Sequence, residues 1–302
     1  MYEFSIASPH KNVLWYDYRV FVNTKHELEK LGCVYKKNAR NRIYLLSPPV
    51  RNFYEDVRHF DKEANNLAII YSHFEKVDNF QGFNKVFAPS NLVLSFFLQQ
   101  RKSASRWFKK NTFLDSKRKL EILPPFSSLT EKEGKANLPQ CDLSFIGSPR
   151  IRPIVEDILP IVEKHNLTFH LYGPGWERYS GNPSAKNYVV AKTIEYNQFS
   201  DLALASKICL VDHHQSMNDI GAVSHKYMDH IHSGAFVISD KNKDAIKNYE
   251  GVCYTSKSDL EELVQFYLGD ANAREEKRLR QRGLTKSNTT ANAAKALMKH
   301  FV

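Results

Sequence analysis

The stretch VSHKYMDHIHSGAFVISD, residues 223–240, decides the fold that this sequence predicts. It is typical of a short helix, a glycine (Gly234) that ends the helix, and a buried strand, as in a βαβ unit. Lys226 and Asp229 lie three residues apart near the start of that helix, so a cation and a carboxylate share one face. Backbone N–H groups and the helix dipole suit the phosphates of a nucleotide, and a carboxylate accepts ribose hydroxyls. The alternative is an ordinary βαβ unit with solvated polar residues.

The same alternation of strands and helices continues on both sides of this stretch. Apolar runs predict strands at 4–7, 33–35, 42–46, 67–71, 85–90, 120–123, 142–147, 167–173, 208–211, 235–238 and 251–254. Helical spacing predicts helices at 20–31, 91–100, 151–165, 199–206, 227–233 and 258–268, the last with Ser258 as its N-cap. Alternating elements of this kind favour an α/β fold with parallel sheets, which bind ligands at the carboxyl edge of their strands.

A polar segment divides the chain into two halves. Residues 127–140 are rich in Ser, Gly, Pro and charged residues and have no apolar period, as in a linker. We therefore predict an N-terminal Rossmann-like domain at 1–127 and a linker at 128–140. A second Rossmann-like domain follows at 141–285, and a C-terminal helix at 286–302 crosses back to the first. Two such domains place a binding cleft between them.

Bulk properties restrict the class of protein. The 302 residues carry a net charge of +10, and 42% of them are hydrophobic. The chain lacks an apolar run long enough for a membrane span, and its start lacks the features of a secretory signal. The four cysteines form no Cys-x-x-Cys pair, which favours reduced core residues and a cytoplasmic location, with attachment to the inner membrane surface left open. The positive charge favours phosphates, anionic lipid, acidic glycans or nucleic acid as partners.

Several segments of the second half carry a resemblance when taken together. They are 142–148 (DLSFIGS), 171–176 (LYGPGW), 206–212 (SKICLVD) and the 224–240 block. Their order and spacing resemble the C-terminal domain of GT-B glycosyltransferases, in particular the CgeB-like, family 1-type group. The resemblance implies a GT-B fold, a nucleotide-sugar donor on the second domain and an acceptor on the first.

The chain departs from that family pattern at three positions. Lys226 stands where arginine is usual and supplies a point charge without a bidentate fork. Asp229 stands where many relatives have glutamate. Gly221 occupies the first position of the Glu-x7-Glu signature of many retaining enzymes, so retention of anomeric configuration is not predicted.

The resemblance and the loop positions together suggest donor-binding residues. They are Gly147, Ser148, Arg150, Arg152, Gly173, Trp176, Ile194, Tyr196, Lys226 and Asp229. The cations would meet the diphosphate, and Asp229 would accept the ribose hydroxyls. Asp-x-Asp does not occur, and the histidines between 213 and 232 lack zinc-ligand spacing, so we predict no metal and no cofactor beyond the donor itself.

A general base is needed to take the proton of the acceptor hydroxyl. Asp17, which follows the first strand, is the first candidate, and His73, after the strand at 67–71, is the second. Either residue is equally compatible with a helix cap or a surface position.

The sequence favours a glycosyltransferase that moves a sugar from a nucleotide-sugar to a glycan or lipid-linked acceptor in bacterial surface polysaccharide synthesis. The alternatives are a phage-type DNA-base glycosyltransferase and a non-catalytic GT-B module that binds nucleotide or glycan. The basic, aromatic segment 101–119 fits an anionic membrane surface, nucleic acid or a solvated loop. A second basic run, 274–282, precedes the C-terminal helix.

Overall fold

The computed structural model describes residues 1–8, 10–11, 16–46, 54–55, 60–70, 82–103 and 119–302. His73 and most of the basic segment 101–119 lie outside the described residues. The chain divides into two compact units. Unit 1 comprises Met1–Ser128, Gln215–Ser224 and Ser287–Val302, and unit 2 comprises Leu129–His214 and His225–Lys286.

Unit 1 is built on a parallel sheet. Its elements are β1 (Glu3–Ser8), α1 (Tyr16–Lys30), β2 (Val34–Tyr35), β3 (Asn41–Leu46), β4 (Tyr54–Glu55), β5 (Asn65–Ile70), β6 (Lys85–Ala88), α2 (Asn91–Ser103) and β7 (Leu120–Ile122), and later in the chain α5 (Gln215–Ile220) and α10 (Thr290–Met298). The strand order is β2-β1-β3-β5-β6-β7, with the short β4 antiparallel to β1. The order reverses direction between β1 and β3, so the carboxyl ends of these strands form the switch point where such sheets bind ligands.

Unit 2 has a second parallel sheet. Its strands are β8 (Cys141–Ile146), β9 (Phe169–Tyr172), β10 (Val189–Ala191), β11 (Ser206–Val211), β12 (Val237–Asp240) and β13 (Val252–Tyr254). Its helices are α3 (Pro153–His165), α4 (Phe199–Ala205), α6 (His225–His232), α7 (Lys243–Tyr249), α8 (Lys257–Gly269) and α9 (Ala271–Thr285). The order β10-β9-β8-β11-β12-β13 corresponds to 3-2-1-4-5-6, the Rossmann arrangement, with its switch point between β8 and β11.

Apolar burial explains both units. The central strands are buried on both faces, as parallel sheets covered by helices require. In unit 1, Ala293, Leu297 and Phe301 from the C-terminal segment pack with Phe4 and Val20. The predicted α/β fold with two Rossmann-like sheets is confirmed, and the predicted strands are present with ends shifted by at most two residues.

Three details differ from the sequence-based description. Residues 215–224 were assigned to the second domain, but they pack in unit 1, where Met217 and Ala222 contact its core. Residues 129–140 group with unit 2, because Lys132 bonds Asp201. The N-cap of α8 is Ser256, whose hydroxyl accepts from the Asp259 backbone N–H, and not Ser258.

Candidate functional site

The loops after β8 and β11 bring four charged side chains together at the switch point of unit 2. Arg150 and Arg152 follow β8, Asp212 follows β11, and Lys226 lies in the first turn of α6. The carboxylate is at the centre of the group. Together the four residues carry a formal net charge of +2, three cations against one anion.

Asp212 contacts all three cations. Its Oδ1 accepts from Arg152 Nη1 at 2.7 Å and from Lys226 Nζ at 3.1 Å. Its Oδ2 accepts from Arg152 Nη1 at 2.6 Å and from Arg150 Nη2 at 2.9 Å. The Asp212 side chain is only 3% exposed. The carboxylate therefore acts as an internal counter-ion for the whole cluster.

The three cations are not equivalent. The Arg152 side chain is 7% exposed and is committed to its loop, because Nε donates to Ser148 O at 2.6 Å and Nη2 to Ser148 Oγ at 3.2 Å. The Arg150 side chain is 41% exposed, and that of Lys226 is 19% exposed. The sequence grouped Arg150 and Arg152 as equal phosphate ligands, but in the structure Arg152 anchors the loop, whereas Arg150 and Lys226 reach solvent.

Electrostatics match this geometry. Burial alone would raise the pKa of Asp212, but Lys226, Arg152 and Arg150 outweigh burial and hold its pKa well below its usual range. Burial lowers the pKa of the Lys226 ammonium, and Asp212 opposes that effect. The site therefore holds an ionised carboxylate and excess positive charge, which suits an anion that carries two negative charges.

Gly147 and Gly173 are required by packing in this structure. A Cβ on Gly173, whose φ is +138°, would lie 2.1 Å from the Gly147 carbonyl oxygen, and a Cβ on Gly147 would meet the Arg152 guanidinium at 2.9 Å. Trp176 is buried at 1% exposure and donates its indole N–H to Gly147 O at 2.9 Å. We predicted these residues as ligand contacts, but Trp176 and Gly173 lie behind the Gly147–Ser148 loop and support it.

Asp229 is also placed differently from the prediction. It lies on α6 and is fully buried, and its Oδ1 accepts the Tyr196 hydroxyl at 2.9 Å. Tyr196 is half-buried, and the Ile194 side chain is buried. In this structure Asp229 does not present a carboxylate to solvent.

Three histidines of this region, His213, His225 and His230, are buried core residues. Burial lowers the pKa of His225 to about 4 and that of His230 to about 3, so both are neutral at physiological pH. His230 packs on Phe199 with ring centroids 5.3 Å apart, and His213 Nδ1 bonds Asp240 at 2.6 Å. Among the described residues, there is no group of three His, Cys, Asp or Glu side chains able to hold a metal ion.

A second cluster lies at the switch point of unit 1. Asp17, in the first turn of α1, is 1% exposed and accepts from Ser8 Oγ at 2.9 Å and from the His10 backbone N–H at 3.1 Å. Its Oδ1 also bonds His10 Nδ1 at 2.9 Å, and the His10 side chain is 17% exposed. We predicted Asp17 as the base, but the structure buries it and presents His10 instead. The sequence feature that could have identified His10 is its position two residues after the end of β1.

Comparisons with known proteins found a family model that matches part of the chain. Residues 152–299 match the family model described as glycosyl transferase-like. No curated protein sequence matches the chain.

Solved structures are similar over nearly the whole chain. A DNA-modifying β-glucosyltransferase, studied with and without uridine diphosphoglucose, has a TM-score of 0.62 at 15% identity and covers 99% of both chains. Sucrose-phosphate synthase from Thermosynechococcus elongatus has a TM-score of 0.64 at 11% identity, with 99% of this chain and 98% of that chain covered. The pneumococcal O-GlcNAc transferase GtfA, in complex with UDP and GlcNAc, has a TM-score of 0.53 at 15% identity over 92% of this chain and 58% of that one.

Proposed function

We propose that this chain, which has the GT-B fold, is a glycosyltransferase that moves a sugar from a nucleotide-sugar donor to an acceptor hydroxyl without a catalytic metal ion. The bond between the sugar C1 and the diphosphate oxygen breaks, and a bond from C1 to the acceptor oxygen forms. The electron pair of the broken bond goes to the diphosphate, and the acceptor proton goes to a protein base.

The observation that carries this proposal is the cation cluster around Asp212. Arg150 and Lys226 reach solvent at the carboxyl edge of the unit 2 sheet, where parallel sheets of this order bind nucleotides. Their two positive charges match the charge that develops on a departing nucleoside diphosphate. A metal ion is not needed for that balance, so we expect transfer to persist in excess EDTA.

His10 is the side chain that we propose as the base. Asp17 accepts from His10 Nδ1, and Nε2 is the ring nitrogen that we propose takes the acceptor proton. The buried carboxylate then stabilises the imidazolium that forms. Asp17 acts through His10 and is a positioning residue. His73, the second predicted base, lies outside the described residues.

Binding of nucleoside diphosphates tests the donor site directly. UDP, GDP, CDP and dTDP are titrated calorimetrically into the wild-type protein, and the best ligand is titrated into Arg150→Gln and Lys226→Gln. Each variant is expected to weaken binding about 10- to 100-fold, because a charge-assisted contact to phosphate is lost. Lys207→Gln is the matched control, since Lys207 is an exposed cation at the opposite edge of the same sheet. Failure of all four diphosphates to bind would contradict the proposal.

For the acceptor we propose a bacterial surface glycan. The similarity to the pneumococcal O-GlcNAc transferase, a bacterial sugar transferase, supports this choice. Among the described helices, none is long and apolar enough to cross a bilayer. Transfer of labelled sugar to cell-wall or capsular fragments, but not to DNA, is the expected result.

A DNA acceptor is the second candidate. A DNA-modifying β-glucosyltransferase matches 99% of both chains, and the net charge of +10 favours a polyanion. Labelled sugar in duplex DNA, with binding that weakens steeply as salt rises, would favour this candidate over a glycan. A non-catalytic module is the third reading, and it predicts diphosphate binding with neither transfer nor donor hydrolysis.

A further inference from the structure

The buried carboxylate of Asp212 is the one charged group of the donor-site cluster with no counterpart in the chemistry proposed above. A diphosphate carries negative charge, so an anion at the centre of its binding site opposes binding by simple Coulomb repulsion. The structure nevertheless directs three cations at this carboxylate. Its presence therefore needs a reason other than charge attraction.

The contacts of Asp212 supply that reason. Arg152 is buried and hydrogen-bonded to the loop through Ser148, so Arg152 and Asp212 form a fixed ion pair with no net charge beneath the site. The remaining hydrogen bonds of the carboxylate run to Arg150 Nη2 and Lys226 Nζ, the two cations that reach solvent. Arg150 Nη2 also donates to His213 O at 3.2 Å, and Lys226 Nζ to Ile146 O at 3.3 Å.

We propose that Asp212 is a positioning residue for the diphosphate site, which holds Arg150 and Lys226 in place before the donor arrives. The inference rests on the proposed function. It goes beyond that function because it gives the negatively charged Asp212 a favourable role in the binding of a negatively charged diphosphate. Without the carboxylate, three cations of like charge repel one another and the exposed pair loses its shared anchor.

Two models predict opposite results for Asp212→Asn. If charge alone governs affinity, the variant carries one more net positive charge and binds UDP more tightly. If Asp212 positions the cations, the variant binds UDP about 10- to 100-fold more weakly, despite the added charge. Asp142→Asn is the matched control, because Asp142 bonds Lys207 at the opposite edge of the same sheet and is expected to leave the Kd unchanged.

The dependence of binding on pH gives a second readout that a purely structural defect would not move. Lys226 faces Asp212, Arg152 and Arg150, and its charge acts on His230 one turn along α6. Burial already lowers the pKa of Lys226, and Asp212 opposes that effect, so removing the carboxylate lowers this pKa further. A lysine with a lower pKa loses its charge at lower pH. Between about pH 7 and pH 10, UDP binding by Asp212→Asn is therefore expected to fall at lower pH than binding by the wild type.

The complete experiment uses isothermal titration of UDP against the full-length wild type, Asp212→Asn, Asp142→Asn and the double variant Asp212→Asn with Arg152→Gln. The double variant keeps the net charge of the four-residue cluster at +2, because it removes one cation and one anion. It also removes the buried pair as a unit, so it provides the test if the single variant does not fold. Weak binding by both Asp212 variants, with the shifted pH profile, supports the inference. Wild-type or tighter affinity in either variant overturns it. If UDP does not bind the wild type, the same series is run with whichever of GDP, CDP and dTDP does bind, and absence of binding by all four would instead count against the proposed donor site.

Discussion

In the proposed mechanism, His10 and Asp17 divide the work of a general base between two side chains, one half-buried and one buried. We expect His10→Ala to lower kcat about 10²- to 10⁴-fold, because the acceptor proton then has no protein acceptor. Asp17→Asn is expected to lower kcat by a smaller factor, since the imidazole remains but its orientation and charge are no longer supported. Initial rates at saturating donor measure both effects.

Two observations separate this role from a loss of folding. His26→Ala removes an exposed histidine from α1, the helix that carries Asp17, and is expected to retain the wild-type kcat. The Kd for UDP is expected to stay unchanged in His10→Ala, because His10 belongs to unit 1 and the cation cluster to unit 2. Full activity of His10→Ala would show that another group takes the proton.

Asp229 and Tyr196 give a second prediction for single residues. The Tyr196 hydroxyl donates to a carboxylate with no solvent exposure, and a ribose hydroxyl is the same kind of donor. If the ribose replaces this hydroxyl, Asp229→Asn weakens UDP binding about tenfold or more but leaves pyrophosphate binding unchanged. Tyr196→Phe keeps the carboxylate and is expected to retain UDP affinity. Calorimetry with both ligands measures the difference, and equal losses for UDP and pyrophosphate would contradict a ribose contact.

The close contact between the ends of β8 and β9 explains why glycine stands at positions 147 and 173. In Gly173→Ala the added Cβ meets the Gly147 carbonyl oxygen at 2.1 Å, and the φ of +138° disfavours any side chain. We expect a loss of roughly 2–4 kcal/mol in the free energy of unfolding. Gly283→Ala in α9 is the matched control, because its Cβ meets nothing within 4 Å, and a gain of about 0.5–1 kcal/mol is expected there. Chemical denaturation measures both values, and a neutral Gly173→Ala would refute the packing argument.

The strands were predictable because a strand of a covered parallel sheet is a short continuous apolar run. The helices α5, α7 and α9 were not predicted. The first two are short, and α9 is charged around most of its surface, with Gln281 and Thr285 as its buried residues. A weak apolar stripe gives no periodic signal. Such segments form helices because tertiary contacts stabilise them, as the ion pair between Arg278 and Glu131 does for α9.

The candidate site was predictable in its cations but not in its organisation. Arg150 and Lys226 stand out because loops after strands suit anions, whereas Asp212 follows a strand without any motif. Its partners come from one loop and one helix, 14 to 62 residues away along the chain. Only the strand order, which sets β8 beside β11, brings them together. Sequence spacing alone does not contain that information.

The cysteines show a property of the molecule as a whole. All four are free thiols, three are buried, and none forms a disulfide, as predicted for core residues. Burial raises the pKa of Cys141 to about 11 and that of Cys209 to about 12, so their thiolate fraction at neutral pH is very small. The interior of unit 2 is therefore chemically inert at these positions.

The two ends of the chain meet in unit 1, which makes its core dependent on the last residues. Phe301 stacks on Phe4 with ring centroids 6.2 Å apart, and the Val302 backbone N–H donates to Asn41. Leu297 of α10 is fully buried in the same cluster. The first residues of the chain therefore complete their packing only when the last segment is available.

Removal of that segment should destabilise the protein more than any exposed change. Leu297→Ala is expected to cost about 2–5 kcal/mol, because it leaves a cavity in a closed core. Truncation after residue 286 removes Leu297, Phe301 and two buried alanines, a loss comparable to the whole stability of a typical domain. Lys295→Ala, an exposed position on the same helix, is the control and should change stability by less than about 0.5 kcal/mol. Urea unfolding of the three variants decides the point, and a truncated chain with wild-type stability would show that unit 1 folds without its C-terminal helix.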